Sequence, residues 1–408
     1  MAKNNIRLFA GKLFDCVGER IRKNVVVEVK DGIIQEITEG ALAPKGADMD
    51  LKELTVLPSF IDCHTHMSFS QYRGPIRPQQ ERPLAERMAI AVPILDARLS
   101  AGIGTSRIAG ERERMSAMLK RLVKEGVVRG PDILEAGLAL RSSAGHGVVA
   151  TPVDGVEAVR KAVRENFKLG ADFTKIFLTG DPSTHTDVFT SFYSKDEIRA
   201  AIDEAHHLGM SVTAHAFGGL GLDWGLDCGL DSVDHGDCAT VVQLEKMAKQ
   251  KVSLVLTLAM IFNDELMQIG HAGEDELLAH KQKTKKPYSE IILKAREIGV
   301  LMAIGGDDAS PRSFTGDVQE VVKIGLSPKE AILMATRNGA EVCGISKSSG
   351  TIEKGKVANL IGIKGDPLED ITAIDKVEFV MQRGKVVKQN GVMSEFLTQK
   401  MDLEMTSY

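Results

Sequence analysis

Two histidines separated by one residue, His64 and His66, close an apolar run spanning residues 56–66. Side chains alternate faces along a strand, so the two imidazoles point the same way and can bind one metal ion, while Cys63 and Thr65 point away. Lys175 stands within the apolar run 172–178, His215 within 211–217, His235 ends 231–235 and Asp307 ends 301–307. A lysine in an apolar strand is expensive to bury unless it is paired. Each residue alone has an ordinary explanation. A lone strand-end histidine is usually a hydrogen-bonded core residue, a buried lysine is an ion-pair partner, and a strand-terminal aspartate is a helix cap. Four histidines, one lysine and one aspartate at successive strand ends form a pattern that chance rarely assembles.

Those residues need a scaffold that gathers strand ends. Short apolar runs recur at 56–66, 104–108, 133–138, 172–178, 211–217, 231–235, 252–258 and 301–307, with helical patterns such as 195–208 and 243–250 between them. Alternation of this kind marks parallel βα units, and eight in about 300 residues fit a closed barrel whose chemistry lies at the C-terminal strand ends. A doubly wound open sheet would be expected to carry a Gly-rich phosphate loop after an early strand, and none is present there. The two ends of the chain differ from the middle. Residues 25–29, the turn Asp31-Gly32 and residues 33–34 read as a hairpin, and so do 377–381, Arg383-Gly384 and 385–387, with a further strand at 359–363. The expected fold is α/β, a (β/α)₈ TIM barrel over residues 58–354. A small β-sandwich domain, built from residues 1–57 and 355–408, is expected beside it.

The chain has 408 residues, 43% of them hydrophobic, and a net charge of −5. That suits one large barrel with a smaller module. No basic block interleaved with aromatics occurs, so nucleic acid is not an expected partner. No run of 18 apolar residues marks a membrane span, and residues 1–7 lack the apolar core of a signal peptide. The five cysteines, with no C-x-x-C among them, are expected to be free thiols in a reducing cytoplasm.

With the strand-end set in place, the sequence resembles the amidohydrolase superfamily, in the subtype whose bridging lysine is carboxylated. The likeness covers nearly the whole chain. It includes the run Thr336-Arg337-Asn338-Gly339-Ala340 and, from Gly350 to Leu360, the return into the sandwich, where the usual aspartate before the leucine is Asn359. The resemblance implies that His64, His66 and Asp307 hold a buried divalent metal and that His215 and His235 hold a more exposed one. It also implies that Lys175, as a CO₂-derived carbamate, bridges the two. Nitrogen and oxygen donors without thiolate suit zinc, with Mn²⁺ or Co²⁺ as alternatives.

Within that superfamily the chain is similar to the prolidase-like dipeptidases, several of which are zinc-dependent carboxypeptidases on Xaa-Arg and Xaa-Lys. Thr174-Lys175-Ile176, Asp203-Glu204-Ala205-His206 and Ser142-Ser143-Ala144-Gly145-His146-Gly147 carry this likeness. It implies that His146 binds the substrate α-carboxylate. Many such relatives read His-Ala-His-Gly where this chain has His215-Ala216-Phe217-Gly218, a difference expected to alter the pocket wall and leave the ligand set intact. A small peptide or N-acyl amino acid is the expected partner, with the chain acting as a homo-oligomer.

Other polar residues have plainer expectations. His185 could line a lid, His206 and His207 belong on an outer helix, and His271 and His280 on the surface. A guanidinium pocket needs an acid apart from the metals, for which Asp181, Asp264, Glu265 and Asp308 are candidates. The competing activities are an amidase on N-acyl amino acids, Xaa-Pro or apolar dipeptides or a cyclic amide, and a catalytically inactive scaffold. A deaminase is disfavoured, since no acid follows His215 closely and Lys175 is present.

Overall fold

The structure is a computed structural model that describes residues 5–18, 20–40, 48–181, 186–265 and 275–396. Its strands are β1 (Asn5–Leu13), β2 (Arg22–Lys30), β3 (Ile33–Thr38), β4 (Met49–Pro58), β5 (Phe60–Thr65), β6 (Ile103–Ile108), β7 (Asp132–Glu135), the short β8 (Leu140–Arg141) and β9 (Thr151–Pro152), β10 (Phe173–Phe177), β11 (Ser211–Ala216), β12 (Ser232–His235), β13 (Ser253–Leu256), β14 (Met302–Ile304), β15 (Leu360–Lys364), β16 (Val377–Gln382), β17 (Lys385–Gln389) and β18 (Val392–Met393). Eight of them, β5–β7 and β10–β14, are parallel βα strands in sequence order.

These eight strands form the barrel. β5-β6-β7 and β10 through β14 are each hydrogen-bonded in series. The two sets meet at both seams: at one, Asp172 N donates to Glu135 O (2.8 Å) and β10 pairs with the short β8, and at the other Asp307 N donates to His64 O (2.9 Å). The second seam requires two glycines. A side chain on Gly305 would collide with His64 Cβ, and one on Gly306 would come within 2.9 Å of Phe314 N. Helices pack outside, several with the start signals their sequences carry. Ser194 and Glu197 form a capping box for Lys195–His207, and Thr240 and Gln243 do so for Val241–Gln250. The apolar cluster between the strands and these helices includes Ile176, Val212, Val233, Leu254, Ile304, Leu244 and Phe314, all fully buried. Burying each such side chain stabilises the fold by about 1.5–3 kcal/mol before entropy is subtracted.

The first expected strand, 56–66, divides at Ser59. Val56, Leu57 and Pro58 pair with β15, whereas Phe60 pairs with Ile103 of β6. The apolar run is continuous, but its two halves serve different sheets, a distinction that periodicity does not record. The chain ends build one eight-stranded sheet in the order β18-β17-β16-β15-β4-β1-β2-β3. Leu8, Val27, Ile34, Val56, Leu360, Phe379 and Met381 from both ends share an apolar cluster of their own. Both expected hairpins form, with positive φ at Asp31 and Gly32 and at Arg383 and Gly384, as the twist-matched two-residue turn demands. Among the described residues no helix is long and apolar enough to cross a membrane.

Candidate functional site

β5, β10, β11, β12 and β14 deliver the six expected ligands to one end of the barrel. Alternation along a strand would send neighbours to opposite faces, and two left-handed residues break that rule where it matters: His235 has φ 79° and Asp307 has φ 46°. Non-glycine residues pay about 1–3 kcal/mol to adopt sparsely populated backbone, and such strain persists where the surroundings over-determine it. At His235 the turn lets adjacent residues serve one site. Asp234 faces Lys175, while the His235 ring sits 4.6 Å from that of His215 and 5.1 Å from that of His64.

His64, His66 and Asp307 form a compact group whose candidate donor atoms lie within 4.8 Å of one another. Asp307 Oδ1 is 3.1 Å from His64 Nε2 and 3.4 Å from His66 Nε2. The His66 ring shows what this geometry needs. Its Nδ1 is 2.9 Å from Gly110 O, which can only accept, so Nδ1 carries the hydrogen. Burial above all lowers its pKa to about 4, so at neutral pH its Nε2 presents a lone pair to the Asp307 carboxylate. Two lone pairs facing one another call for a cation between them. Burial opposes ionisation of Asp307, yet the imidazoles of His64, His235 and His66 together hold its carboxyl below the usual range. His64 is different. Burial and Lys175 oppose its charging, and the Asp234 and Asp307 carboxylates outweigh them, raising its pKa. A divalent metal fits the inner group on the chemistry of its donors.

His235 and His215 stand beside this group. Burial pushes His235 down to about 3 and His215 well below the usual range, so both are neutral imidazoles with a nitrogen free to ligate. His235 Nδ1 is 2.7 Å from Thr257 Oγ1, and Tyr288 donates to the His235 carbonyl (2.6 Å), which fixes ring and backbone. Lys175 is wholly buried and donates to Asp234 Oδ2. Burial pulls the Lys175 ammonium below its usual pKa against the attraction of Asp234, bringing the neutral amine within closer reach.

At the mouth, His146 lies in the loop between β8 and β9. Arg141 braces that loop by donating to the carbonyls of Ser142, Ser143 and Gly145 at 3.0–3.2 Å. Asp154 accepts from Ser143 N at 3.0 Å. The His146 ring is 4.9 Å from that of His215, and its Nε2 is 3.9 Å from Asp181 Oδ2. His146, Asp181 and His215 make a second group with donors within 4.8 Å. Phe217 stands 4.9 Å from the His215 ring and 5.4 Å from that of His235, forming an apolar wall.

The acids considered for a cation pocket separate. Asp264 pairs with Lys285 (2.6 Å) and Glu265 with Arg312 (3.3 Å). Asp308 is buried and accepts from Ser70 Oγ (2.8 Å), Gln71 N (2.6 Å) and Ser310 N (2.7 Å), so it shapes the loop after β5. Asp181 alone of the four stands by the expected ligands. His206 is exposed beside Asp231 (2.7 Å). His185 and His271 lie outside the described residues, as does the side chain of His280.

Several buried charges around the ligands were not singled out from the sequence. Asp62 accepts from Arg98 (2.5 Å), His64 N (3.0 Å) and Gly306 N (3.1 Å), tying β5 to β14. Glu111 accepts from Met67 N (2.5 Å) and Ser68 N (3.2 Å), just after His66. Asp234 meets Lys175, His64 and Arg107, and Asp237 is buried with Oδ1 unbonded. The signal was available: Asp62-Cys63-His64 and Asp234-His235-Gly236-Asp237 place acids in or against apolar strands, as costly there as Lys175.

The chain matches the family model described as the amidohydrolase family over residues 55–387. It is 26% identical to ochratoxinase of Aspergillus niger over 427 aligned residues, covering 94% of this chain and 87% of that protein. It is 24% identical to imidazolonepropionase of Salinispora tropica over 353 residues, or 78% and 81% of the two chains. Among solved structures, a prolidase complexed with N-methylphosphonate-L-proline superposes with a TM-score of 0.86 at 30% identity, over 94% of this chain and 100% of that one. A Xaa-Pro dipeptidase with bound methionine in the active site gives 0.84 at 26%, over 94% and 100%.

Proposed function

The chain belongs to the amidohydrolase family, and from that premise we propose that it is a binuclear metal-dependent hydrolase releasing the C-terminal amino acid of a dipeptide or short peptide. The observation that carries this is the facing of His64, His66 and Asp307, with the His66 lone pair turned on a carboxylate. In this reading His64, His66 and Asp307 hold the buried ion, and His215 and His235 hold the exposed one. Lys175, carboxylated on Nζ, holds both. The donors suit zinc. When bound, the ions supply a Lewis acid for the scissile carbonyl and an ionised water near neutral pH.

The chain's own residues do the rest. Asp307 keeps 17% of its side chain exposed, against 2% and 4% for His64 and His66, so it is the inner ligand that reaches open space. It accepts the proton of the attacking water and delivers it to the leaving amine. His146 is neutral, because burial lowers its pKa against the pull of Asp181. It donates N–H to the substrate α-carboxylate, a bond strengthened by the acceptor's charge. Phe177 and Phe217 wall the His215 side and keep water away from the scissile bond.

For the released residue we infer arginine or lysine. The likeness to Xaa-Arg and Xaa-Lys enzymes suggests it, and Asp181 supports it. Burial foremost, then Asp181, pushes the Asp237 carboxyl well above its usual pKa against the pull of the buried Lys281, so Asp181 is the acid on which the cationic reading rests. Proline or an apolar residue is the second reading, favoured by the prolidase bound to a proline phosphonate. The deciding measurement is kcat/KM on Ala-Arg, Ala-Lys, Ala-Leu and Ala-Pro with protein made in the presence of zinc and bicarbonate. A preference for leucine or proline defeats the cationic pocket, and no turnover of any dipeptide or N-acyl amino acid defeats the reading of the site as one that releases a C-terminal amino acid.

A further inference from the structure

Asp234 is fully buried on β12, one residue before His235. Its Oδ2 accepts from Lys175 Nζ and lies 3.1 Å from His64 Nδ1. Its Oδ1 accepts from Thr213 Oγ1 (3.0 Å) and from the Arg107 guanidinium (3.3 Å). Arg107 is itself fixed by donating to Cys63 O (2.5 Å), in the strand that carries His64. A carboxylate so deep is not needed for packing, since buried ion pairs can often be replaced by apolar residues at no loss of stability. What distinguishes this one is that it lies against two of the expected ligands at once, a histidine of the inner group and the lysine.

We propose that Asp234 is a positioning residue that aims both His64 and Lys175 for metal loading, an inference that rests on the metal-dependent reading above. His64 Nδ1 is buried 3.1 Å from Asp234 Oδ2 without a hydrogen bond as the ring stands, and a turn of the ring that directs Nδ1–H at Asp234 places the lone pair on Nε2, the atom facing Asp307. Outer carboxylates fix the tautomer and orientation of ligating histidines in this way. The same oxygen sets the lysine. Carboxylation converts R–NH₃⁺ and CO₂ into R–NH–COO⁻ and two protons. The nitrogen loses one proton to expose its lone pair, forms the N–C bond as one C=O electron pair moves to oxygen, then loses a second proton to solvent. One hydrogen stays on Nζ. Asp234 Oδ2 accepts it as it accepts from the ammonium now, which leaves the new carboxylate on the opposite side of the nitrogen. Arg107 neutralises Asp234 in both states, so the change in charge at Lys175 does not strand a bare anion.

The test is Asp234→Asn, which keeps the shape and removes the charge. Zinc affinity is read by competition with a chelator, and the carbamate by its ¹³C signal after loading with ¹³CO₂. Metal affinity is expected to fall roughly 10- to 100-fold, with loss of the carbamate signal, and Asp234→Glu is expected to recover part of both. Parent-like affinity and an undiminished carbamate signal in a folded Asp234→Asn protein overturn the proposal while leaving the hydrolase reading intact. A parent that binds no zinc overturns both. If Asp234→Asn does not fold, Thr213→Val carries the test. It removes one bond to Asp234 Oδ1, should weaken zinc binding several-fold, and overturns the proposal if affinity is unchanged.

Discussion

The inner half of the site and its mouth are held by different means. Around His64, His66 and Asp307, charged side chains are tied to one another across strands: Asp62 to Arg98, Asp234 to Lys175 and Arg107, Glu111 to the backbone after His66. Each is buried and each bridges elements far apart in sequence. At the mouth, His146 sits on a loop braced by local bonds from Arg141 and Asp154, and Asp181 follows β10 on another loop. A cross-strand network in low dielectric permits one arrangement, because an unpaired buried charge is costly. A loop held by bonds to its own neighbours can be re-shaped without disturbing the barrel. The inner half is therefore where the chemistry is fixed, and the mouth is where one substrate is told from another.

Four experiments break or sharpen that contrast. The largest effect is expected from Asp307→Asn, which should keep at least one metal yet lower kcat by roughly 10²–10⁴-fold; a kcat within tenfold of the parent excludes Asp307 as the proton carrier. Lys175→Ala comes next. It should lose most bound metal, read by elemental analysis, and most activity, and it should destabilise the fold by about 2–5 kcal/mol because a long buried side chain is replaced by a cavity. A fully active variant removes Lys175 from the site. At the mouth, His146→Ala should leave metal content unchanged and lower kcat/KM about 10- to 150-fold, the equivalent of one charge-assisted hydrogen bond of about 1.5–3 kcal/mol. Dipeptides with an amidated C-terminus should be poor for the parent, and equal turnover of amidated and free acids excludes the anchor. The smallest effect belongs to Asp264→Asn. Its partner Lys285 and Asp264 itself are partly exposed, so stability should change by less than about 0.5 kcal/mol. A tenfold loss of kcat/KM on Ala-Arg would instead place Asp264 in the specificity pocket.

Much of the barrel was readable because its signal is local. Apolar runs of strand length alternate with helical patterns that carry their own caps at Ser194 and Thr240, and turn residues at Asp31-Gly32 and Arg383-Gly384 announce the hairpins. The boundary at Ser59 was not readable. Nothing in one apolar run says that half of it will bond to β15, some 300 residues away, and half to β6. The acids show the same limit. Asp264 and Glu265 looked available beside Asp181, with Asp308 the weaker candidate because alternation points it away from Asp307, and the arrival of Lys285, Arg312 and the 70–71 segment from elsewhere in the chain shows where each is engaged.

By itself the sequence determined which groups can do chemistry and in what order the strands present them: His64 and His66, then Lys175, His215, His235 and Asp307, each at the end of an apolar run. That follows from residue type and the period of two along a strand, both local properties. The tertiary structure decided which of these face one another. The seam between β5 and β14 brings Asp307 against histidines more than 240 positions earlier, and the left-handed backbone at His235 lets both Asp234 and His235 face the site, where simple alternation would deny it to one of them. Tertiary structure also placed Asp234 between Lys175, His64 and Arg107, since a buried charge must be answered by charges from other strands and only the closed fold says which ones are near.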